Sequence, residues 1–256
     1  MKVVAVINQK GGVGKTTTTT NLCHALAEVG YKVTAIDFDP QGQLAISLGI
    51  ITQDIGGIDE AMLAKKTALQ QVIRVRHNLA LVPAGPRLKD IEQLLAAGQP
   101  KGMVLKTALG SYFADQDFVF IDCPPSSGFL IANALVVADQ VLVPMTGDFL
   151  SLQGLSHLMA TIRRFEKALK RRYKLAIVIS RFASTRRMAR QVLNIVLTHF
   201  PKQVLATIIR EASALAECPS FGKTILEYSP NSRPANDFRD LAQDFLNDRV
   251  MSYDNK

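Results

Sequence analysis

The chain has 256 residues, of which 48% are hydrophobic, enough for one large α/β core or two small ones, and we expect one domain spanning 1–256. No apolar run is long enough for a predicted membrane-spanning helix, and the three widely spaced cysteines form no C-x-x-C pair, which argues against a disulfide framework or zinc site. The 30 Lys and Arg against 22 Asp and Glu give a net charge of +8, and the pI of about 9.5 is in the range that indicates nucleic-acid binding.

The first predicted elements are a strand, a glycine loop and a helix. Residues 3–7 form a β-branched apolar run, and residues 21–27 have helical apolar spacing. The loop between them reads Gln9-Lys10-Gly11-Gly12-Val13-Gly14-Lys15-Thr16-Thr17. Its glycines allow the backbone to approach a ligand closely, so that N–H groups converge on phosphate at the positive end of the helix. Lys15 would neutralise phosphate charge, and the Thr16 hydroxyl would bind Mg²⁺.

This loop departs from the usual P-loop pattern. A glycine is expected five places before Gly14, but Gln9 stands there, and a second lysine, Lys10, opens the loop. The sequence resembles the deviant Walker A motif of the ParA/MinD family of ATPases. The resemblance implies that Lys10 reaches across a dimer interface to the partner's phosphates, as a catalytic residue. It also implies that ATP is bound by Gly11, Gly12, Val13, Gly14, Lys15, Thr16 and Thr17.

The second predicted strand delivers two carboxylates. Residues 31–38 are β-rich and lead into Asp39-Pro40-Gln41-Gly42, which places the acidic residues where open α/β sheets bind ligands. The run resembles the family's second signature, Asp-x-Asp-Pro-Gln-Gly. The resemblance implies that Asp39 positions or activates the attacking water and that Asp37 lies near the metal. An ordinary helix cap is the alternative for an Asp at this position.

The next stretch predicts elements without evident chemistry. Residues 58–73 and 87–97 have helical apolar spacing, and 78–85 predict a short strand and turn between them. Residues 105–113 predict another helix.

The most strongly β-patterned run of the chain is 118–121, and Asp122 closes it. An Asp in that position is the Walker B arrangement, which holds Mg²⁺ directly or through water. The run resembles the family's Asp-x-Pro-Pro signature. Cys123 leaves an alternative open, because an iron–sulfur relative of this fold uses a cysteine from each subunit. No second ligand stands out, so we interpret Cys123 as a packed cysteine.

Beyond a predicted strand at 140–144, the segment 146–155 opens a long helix. This segment resembles a family segment with an acidic residue near the dimer interface. Asp148 matches that residue, although family members more often have Glu. The strand predicted at 174–182 follows, and the resemblance implies that Arg181 at its end borders the adenine.

Positive charge is concentrated in residues 163–190, which hold 11 of the 30 basic residues and one acidic residue, Glu166. Arg186, Arg187 and Arg190 lie near the start of a helix predicted at 185–200, where basic residues oppose the helix dipole. Phosphate contact is one reason for their presence. The predicted DNA-binding residues are Arg163, Arg164, Lys170, Arg171, Arg186, Arg187, Arg190 and Lys223.

After a strand predicted at 204–209, residues 211–223 resemble the family's Ser-Glu-Ala-Pro-Ser-x-Gly-Lys signature. Chromosomal ParA proteins carry a DNA-binding arginine just before it, where this chain has Ala214. Lys223 or the arginines at 186–190 are the expected substitutes.

The last segments complete the predicted nucleotide site. Residues 228–234 have turn chemistry and resemble the loop that flanks adenine, which implies contacts from Pro230 and Asn231. The final predicted helix, 235–250, carries four aspartates and is not the basic amphipathic helix that binds membranes in MinD proteins. We therefore expect no membrane partner.

We predict a doubly wound α/β fold, a mainly parallel sheet with helices on both faces, of the P-loop NTPase, SIMIBI-like type. The resemblance implies an ATPase that forms a homodimer with ATP and Mg²⁺ and binds DNA without sequence preference. It also implies a ParB-like or cargo-adaptor protein that stimulates hydrolysis, and a plasmid, chromosome or protein cargo. The short apolar run after Met1-Lys2 is no signal peptide, so the expected location is the cytoplasm, on the nucleoid. The alternatives are a MinD-like membrane-associated regulator and a metabolic P-loop enzyme, either an iron–sulfur reductase or an amide-forming synthetase.

Overall fold

The computed structural model describes residues 1–51, 55–64, 67–95, 101–110, 113–126, 128–183 and 185–251. Their strands are β1 (Lys2–Val6), β2 (Val33–Asp37), β3 (Ile73–Arg76), β4 (Leu79–Val82), β5 (Phe118–Asp122), β6 (Gln140–Thr146) and β7 (Lys174–Ser180). They form one sheet in the order β3-β4-β2-β5-β1-β6-β7. Neighbouring strands are parallel except β3 and β4, which are antiparallel.

The helices of the described residues vary from one turn to six. They are α1 (Lys15–Glu28), α2 (Gln43–Ser47), α3 (Ile58–Met62), α4 (Ile91–Leu94), α5 (Val104–Leu109), α6 (Phe129–Val137), α7 (Phe149–Leu169), α8 (Arg187–His199), α9 (Ser213–Glu217), α10 (Ile225–Tyr228) and α11 (Arg233–Asn247). Short 3-10 turns cover Ala68–Gln71, Leu88–Asp90, Lys101–Met103 and Cys218–Phe221. No helix in the described part of the chain is long and apolar enough to cross a membrane.

The sheet separates two apolar cores. Along β1, Val3 and Ala5 belong to one core, while Val4 and Val6 belong to the other, because successive side chains of a strand point to opposite faces. Helices α3 to α8 pack on the first face, and α1, α2, α10 and α11 pack on the second. Every residue of β2 and β5 is buried, as expected for strands covered on both sides. The predicted doubly wound fold is confirmed.

Polar residues collect at one edge of this sheet. Asn8 follows β1, Asp37 ends β2 and Asp122 ends β5, while Thr146 and Ser180 end β6 and β7. Since these strands are parallel, all five residues lie at the carboxyl edge, where doubly wound sheets bind ligands. The register places Asp37 directly opposite Asp122.

The helices predicted between β2 and β5 are shorter than expected. The helix predicted at 58–73 ends at Met62, and the run 73–76 is strand β3, which pairs with β4. That pairing between strands overrides the helical spacing of its apolar residues. The predictions at 87–97 and 105–113 correspond to α4 and α5, and α5 ends before Gly110. Residues 65–66, 96–97 and 111–112 of these predictions lie outside the described residues.

The strand predicted at 204–209 is also irregular. The segment runs beside β7, with Leu205 N–H donating to Ile177 O and Ile209 N–H donating to Ile179 O, both at 2.9 Å. Only isolated bridges form, at Val204, Leu205 and Arg210. The segment therefore extends the sheet without forming a continuous strand, and its far end still reaches the carboxyl edge.

Candidate functional site

The glycine loop between β1 and α1 presents an open helix end. Gly12 and Gly14 have φ of 73° and 83°, a left-handed conformation that glycine adopts without strain. Gly14 precedes α1, and no side chain caps the first N–H groups of this helix. These donors face the loop, where an anion would complete their hydrogen bonding.

Lys15 is the first residue of α1 and is only 7% exposed. Its Nζ donates to the Lys10 carbonyl oxygen at 3.4 Å. Burial lowers the pKa of Lys15, while the carboxylates of Asp122 and Asp39 oppose that shift. The ammonium is therefore held inside the loop and lacks a direct carboxylate partner among the described residues.

Asp122 is the buried carboxylate of the site, 1% exposed. Thr16 Oγ1 donates to one of its oxygens at 2.7 Å, and Thr19 Oγ1 donates to the other at 3.2 Å. Burial raises the pKa of Asp122 to about 6, against the lowering effects of the Thr16 hydrogen bond and the Lys15 charge. Thr19 is a contact that the sequence prediction missed, and its position one helical turn after Thr16 was the available signal.

These residues fit a magnesium ion bound together with phosphate. The described residues contain no group of three or more His, Cys, Asp or Glu placed to hold a metal. Mg²⁺ commonly uses one or two protein oxygens and takes its other ligands from water and phosphate. A buried carboxylate beside the Thr16 hydroxyl supplies such a pair of oxygens.

The two acidic residues after β2 have different contacts. Asp37 is fully buried and accepts hydrogen bonds from the N–H groups of Asp39, Leu44 and Ala45 at 3.1 to 3.3 Å. Burial and the adjacent Asp122 carboxylate raise its pKa well above the usual value. Asp39 accepts from Gln41 N–H at 3.0 Å and lines the loop cavity. Asp37 thus lies beside the predicted metal position but holds the start of α2, and its role as a ligand stays a prediction.

Lys10 is bound within its own subunit. Its Nζ donates to the Asp148 oxygens at 2.6 and 2.8 Å and to Ser151 Oγ at 3.2 Å. Asp148 is the N-cap of α7 and accepts from Ser151 N–H at 2.9 Å. Partial burial acts to raise the pKa of Asp148. The hydrogen bonds from Lys10, Thr146 and Ser151 outweigh this effect and lower the pKa to about 2. Asn8 supports the arrangement, since it accepts from Lys10 N–H and donates to Pro144 O.

A cavity of about 620 Å³ adjoins the loop. Its lining includes the glycine loop, Lys15, Thr16 and Asp39, and also Ile209, Leu215 and apolar neighbours. The polar lining suits phosphates, and the apolar lining is suitable for a base. Arg181 lines the cavity, donating to Gly12 O at 3.0 Å and pairing with Glu211 at 3.2 Å.

Pro230 and Asn231 lie outside the lining of this cavity, and their contacts with adenine stay a prediction. Both are exposed, and Pro230 O accepts from Arg239 Nη1 at 2.8 Å. Arg210 lines the cavity, with Nη1 held by the two Asp237 oxygens at 3.1 and 3.3 Å. Arg210 follows an apolar run at the carboxyl edge of the sheet. The rule that polar residues ending such runs serve ligands could have found it.

The predicted DNA-binding residues fall into two clusters. Arg186, Arg187 and Arg190 are exposed at the start of α8, and Arg186 lies 4.0 Å from Glu211. The other cluster lies at the end of α7 and includes Arg163, Arg164 and Lys170, all exposed. Lys223 is exposed in the loop before α10.

Among the predicted DNA-binding residues, Arg171 has partners within the chain. Its Nη2 donates to Leu135 O and Val136 O, both at 2.7 Å, and its guanidinium lies 5.1 Å from the ring centre of Tyr173. These carbonyls belong to the last turn of α6 and have no partner within the helix. Arg171 is therefore engaged with α6 through Nη2, and its contact with DNA stays a prediction.

Cys123 is buried, and its Sγ donates to Ile121 O at 3.5 Å. Burial and the neighbouring Asp122 raise the pKa of its thiol well above the usual value. These surroundings agree with a packed cysteine.

Sequence comparisons match nearly the whole chain. A family profile described as "AAA domain" matches residues 1–176. "Chromosome partitioning protein ParA" of Myxococcus xanthus is 36% identical over 249 residues, covering 96% of this chain and 88% of that protein. "Sporulation initiation inhibitor protein Soj" of Bacillus subtilis is 35% identical over 246 residues, covering 95% and 97%.

Two solved structures similar to the chain contain bound nucleotides. Cobyrinic acid a,c-diamide synthase from Mycobacterium smegmatis, with bound ADP and magnesium, has a TM-score of 0.82 and 30% identity, covering 96% of this chain and 94% of that one. A Borrelia burgdorferi protein described as a plasmid partition protein, bound to AMPPNP, has a TM-score of 0.82 and 25% identity, covering 96% and 98%.

Proposed function

The chain belongs to the ParA/Soj family of P-loop partitioning ATPases, and from that premise we propose that residues 1–256 form one ATPase domain that positions a cargo on DNA. It binds ATP with Mg²⁺, closes a homodimer and holds DNA without sequence preference. A ParB-like or cargo-adaptor partner stimulates hydrolysis and so releases the DNA. The cargo is a plasmid, a chromosome or a protein assembly, and the protein is located on the nucleoid in the cytoplasm.

The observation that carries this proposal is the convergence of Lys15, Thr16 and Asp122 on an uncapped helix end. The N–H groups of the loop and the Lys15 ammonium bind phosphate oxygens, and Thr16 and Asp122 hold the metal. When bound, Mg²⁺ neutralises negative charge on the phosphate oxygens. The apolar lining of the cavity, with Arg210, receives the base.

Asp39 is the residue that we assign to the attacking water. It lines the cavity together with the glycine loop, and the only hydrogen bond to its carboxylate among the described residues comes from Gln41 N–H. One carboxylate oxygen is thus free to accept from water and orient it.

Lys10 has to leave Asp148 in order to reach a partner subunit. The side chains of the pair are 30% and 43% exposed, so the pair contributes on the order of 1 kcal/mol or less. The phosphates of a bound ATP carry more negative charge than one carboxylate and can replace it as the partner of Lys10. The pair with Asp148 is therefore a resting position for Lys10.

The same segment gives a physical connection to α8. A Cβ added to Gly147 would lie 2.9 Å from Ala189 Cβ, so the loop that carries Asp148 packs closely against the first turn of α8. Arg187 and Arg190 lie on that turn. In our proposal, this contact is the route by which a movement of Asp148 on release of Lys10 would reach Arg187 and Arg190.

A second candidate is an amide-forming synthetase, because cobyrinic acid a,c-diamide synthase has the same fold at 30% identity. Such an enzyme turns over only with an acid and an amine donor. Phosphate release from ATP with DNA alone, without either substrate, distinguishes the ATPase from it.

The test is nucleotide binding and phosphate release by the purified protein. We expect Mg²⁺-dependent ATP binding in the wild type, loss of at least about a hundredfold in affinity for Lys15→Ala, and no change for the exposed-lysine control Lys89→Ala. Asp39→Ala should bind ATP normally and release phosphate at least about tenfold more slowly. Normal ATP binding by Lys15→Ala would overturn the assignment of the loop.

A further inference from the structure

The basic block of the sequence is divided between opposite edges of the sheet. Helix α7 starts after the carboxyl end of β6, so after 21 residues, about 30 Å, it ends at the amino edge, before β7. Helix α8 starts after the carboxyl end of β7. The two arginine and lysine clusters are therefore separated by at least the length of β7, about 20 Å.

The cluster at the end of α7 surrounds a groove of about 520 Å³. The groove is lined by Arg163, Glu166, Lys167, Lys170, Arg171 and Arg172. Its one carboxylate is engaged, since Glu166 accepts from Tyr173 N–H at 3.0 Å and lies 3.5 Å from Arg172 Nη1. The Arg172 side chain nevertheless remains 90% exposed. Arg171 is bound to α6. The other four basic residues, Arg163, Lys167, Lys170 and Arg172, face solvent around the single carboxylate of Glu166.

Helix stability explains only part of this cluster. Cations in the last turn of a helix interact favourably with its dipole, and this accounts for Lys167 and Lys170. Arg163 lies more than a turn earlier, and Arg172 lies beyond the helix. Their accumulation around one groove indicates a ligand of high negative charge.

The groove fits a phosphate backbone better than a protein surface. Protein interfaces depend on apolar and aromatic anchors in their centre, with charge at the rim. None of the large exposed hydrophobic residues of the described chain lies within 163–172. A charged surface without anchors is the usual form of a nonspecific nucleic-acid contact.

We propose that this groove is a second DNA-binding surface, so that one assembly holds two duplexes, one at each edge of the sheet. The inference rests on the proposed function, in which the start of α8 holds the first duplex. The inference adds that the ATP-bound protein links two separate DNA segments, whereas the proposed function needs only the binding of one.

The experiment measures capture of a second duplex. Full-length protein with Mg²⁺-ATP, at about 50 mM salt, is bound to a duplex on beads, washed, and given a labelled duplex of unrelated sequence. Affinity for a single duplex is measured separately by anisotropy.

The groove variant is Lys167→Gln with Lys170→Gln and Arg172→Gln. A second variant, Arg163→Gln with Arg172→Gln, leaves the last turn of α7 unchanged. The control, Arg87→Gln with Lys89→Gln and Lys106→Gln, lowers the net charge equally at exposed sites elsewhere.

We expect the groove variant to lose capture at least about tenfold while its single-duplex affinity changes less than about threefold, and the control to keep both. The Arg163/Arg172 variant should show a smaller loss of capture in the same direction. Unchanged capture in both groove variants overturns the inference. If these variants also lose the stimulation of ATP hydrolysis by the partner protein, the groove binds an acidic protein instead of DNA. Equal losses of capture and affinity overturn it too, because the groove is then part of one surface. A wild-type protein that binds no duplex contradicts the DNA-binding function itself, and this inference with it.

Discussion

Lys10 and Lys15 stand in one loop, but their ammonium groups have different surroundings. Lys15 is buried beside the first turn of α1, while Lys10 is partly exposed and paired with Asp148 at the start of α7. A buried lysine can serve only the nucleotide of its own subunit. A partly exposed ion pair can exchange one anion for another.

We therefore predict that Lys10→Ala keeps ATP affinity within about threefold of the wild type and loses ATP-dependent dimerisation. Fluorescent-nucleotide titration and light scattering measure the two properties. Asp148→Asn is the matched variant, because asparagine still caps α7 but no longer carries the charge that retains Lys10. It should dimerise at lower ATP concentrations. A Lys10→Ala protein that dimerises normally would remove the role assigned to this lysine.

Arg210 lines the cavity and has hydrogen-bond donors to spare for the base that we propose is bound there. Only its Nη1 has a partner among the described residues, the Asp237 carboxylate, which anchors one corner of the guanidinium. A planar guanidinium can stack on a base or donate to its ring nitrogens.

We predict that Arg210→Ala weakens ATP binding about tenfold and leaves the binding of inorganic triphosphate unchanged, because triphosphate has no base. Competition against a fluorescent nucleotide measures both ligands. Lys15→Ala serves as the control and should weaken both. Equal losses of both ligands in Arg210→Ala would instead show that the pair with Asp237 only supports the fold.

At the scale of elements, helix stability accounts for some of the basic residues and not for others. Lys167 and Lys170 at the end of α7 are favoured by the helix dipole, whereas Arg186, Arg187 and Arg190 at the start of α8 oppose it by a few tenths of a kcal/mol each. The start of α8 therefore carries charge that does not help the helix. It remains exposed at the edge that also holds the nucleotide loop.

Replacing Arg186, Arg187 and Arg190 by Glu should abolish binding to a single duplex and leave ATP-dependent dimerisation in place. Gel-shift titration and light scattering measure these properties. Arg87→Glu with Lys89→Glu and Lys106→Glu makes the same change in net charge and should weaken DNA binding far less. Equal effects of the two triple variants would mean that overall charge, and not α8, attracts the DNA.

At the scale of the whole molecule, the proposed dimerisation would combine the basic clusters of two subunits. A dimer pairs two copies of each basic cluster, so ATP should strengthen DNA binding without any new type of contact. Each phosphate contact also releases counterions, which makes such binding sensitive to salt.

With about four phosphate contacts per dimer, raising the salt from roughly 50 to 200 mM should weaken DNA binding on the order of a hundredfold. Anisotropy titrations with two unrelated duplexes, with ATP or ADP, measure the effect. The two sequences should bind alike, and ADP should bind more weakly. An affinity that changes with neither salt nor nucleotide would contradict DNA as the surface on which the protein acts. A protein or membrane surface would then replace it, and liposome co-sedimentation would test the membrane.

The sequence by itself determined the nucleotide loop, the carboxylates at the strand ends and the doubly wound fold. Those features are local: buried parallel strands appear as continuous apolar runs, and a glycine loop between strand and helix has a fixed spacing. Lys10, Thr16 and Asp122 could be named because each has a fixed place relative to a regular element: Lys10 in the loop after β1, Thr16 in the first turn of α1 and Asp122 at the end of β5.

Tertiary structure decided the rest. Strand β3 forms because β4 is available to pair with it, and the segment 204–209 stays irregular although its composition is that of a strand. Arg171 is engaged by the carbonyls of α6, 35 and 36 residues earlier in the chain. The basic block is contiguous in sequence but divided in space. Helix α7 runs from the carboxyl edge of the sheet to the amino edge, and β7 runs back to the carboxyl edge. Such contacts join residues distant in sequence, and no local pattern records which of them will meet.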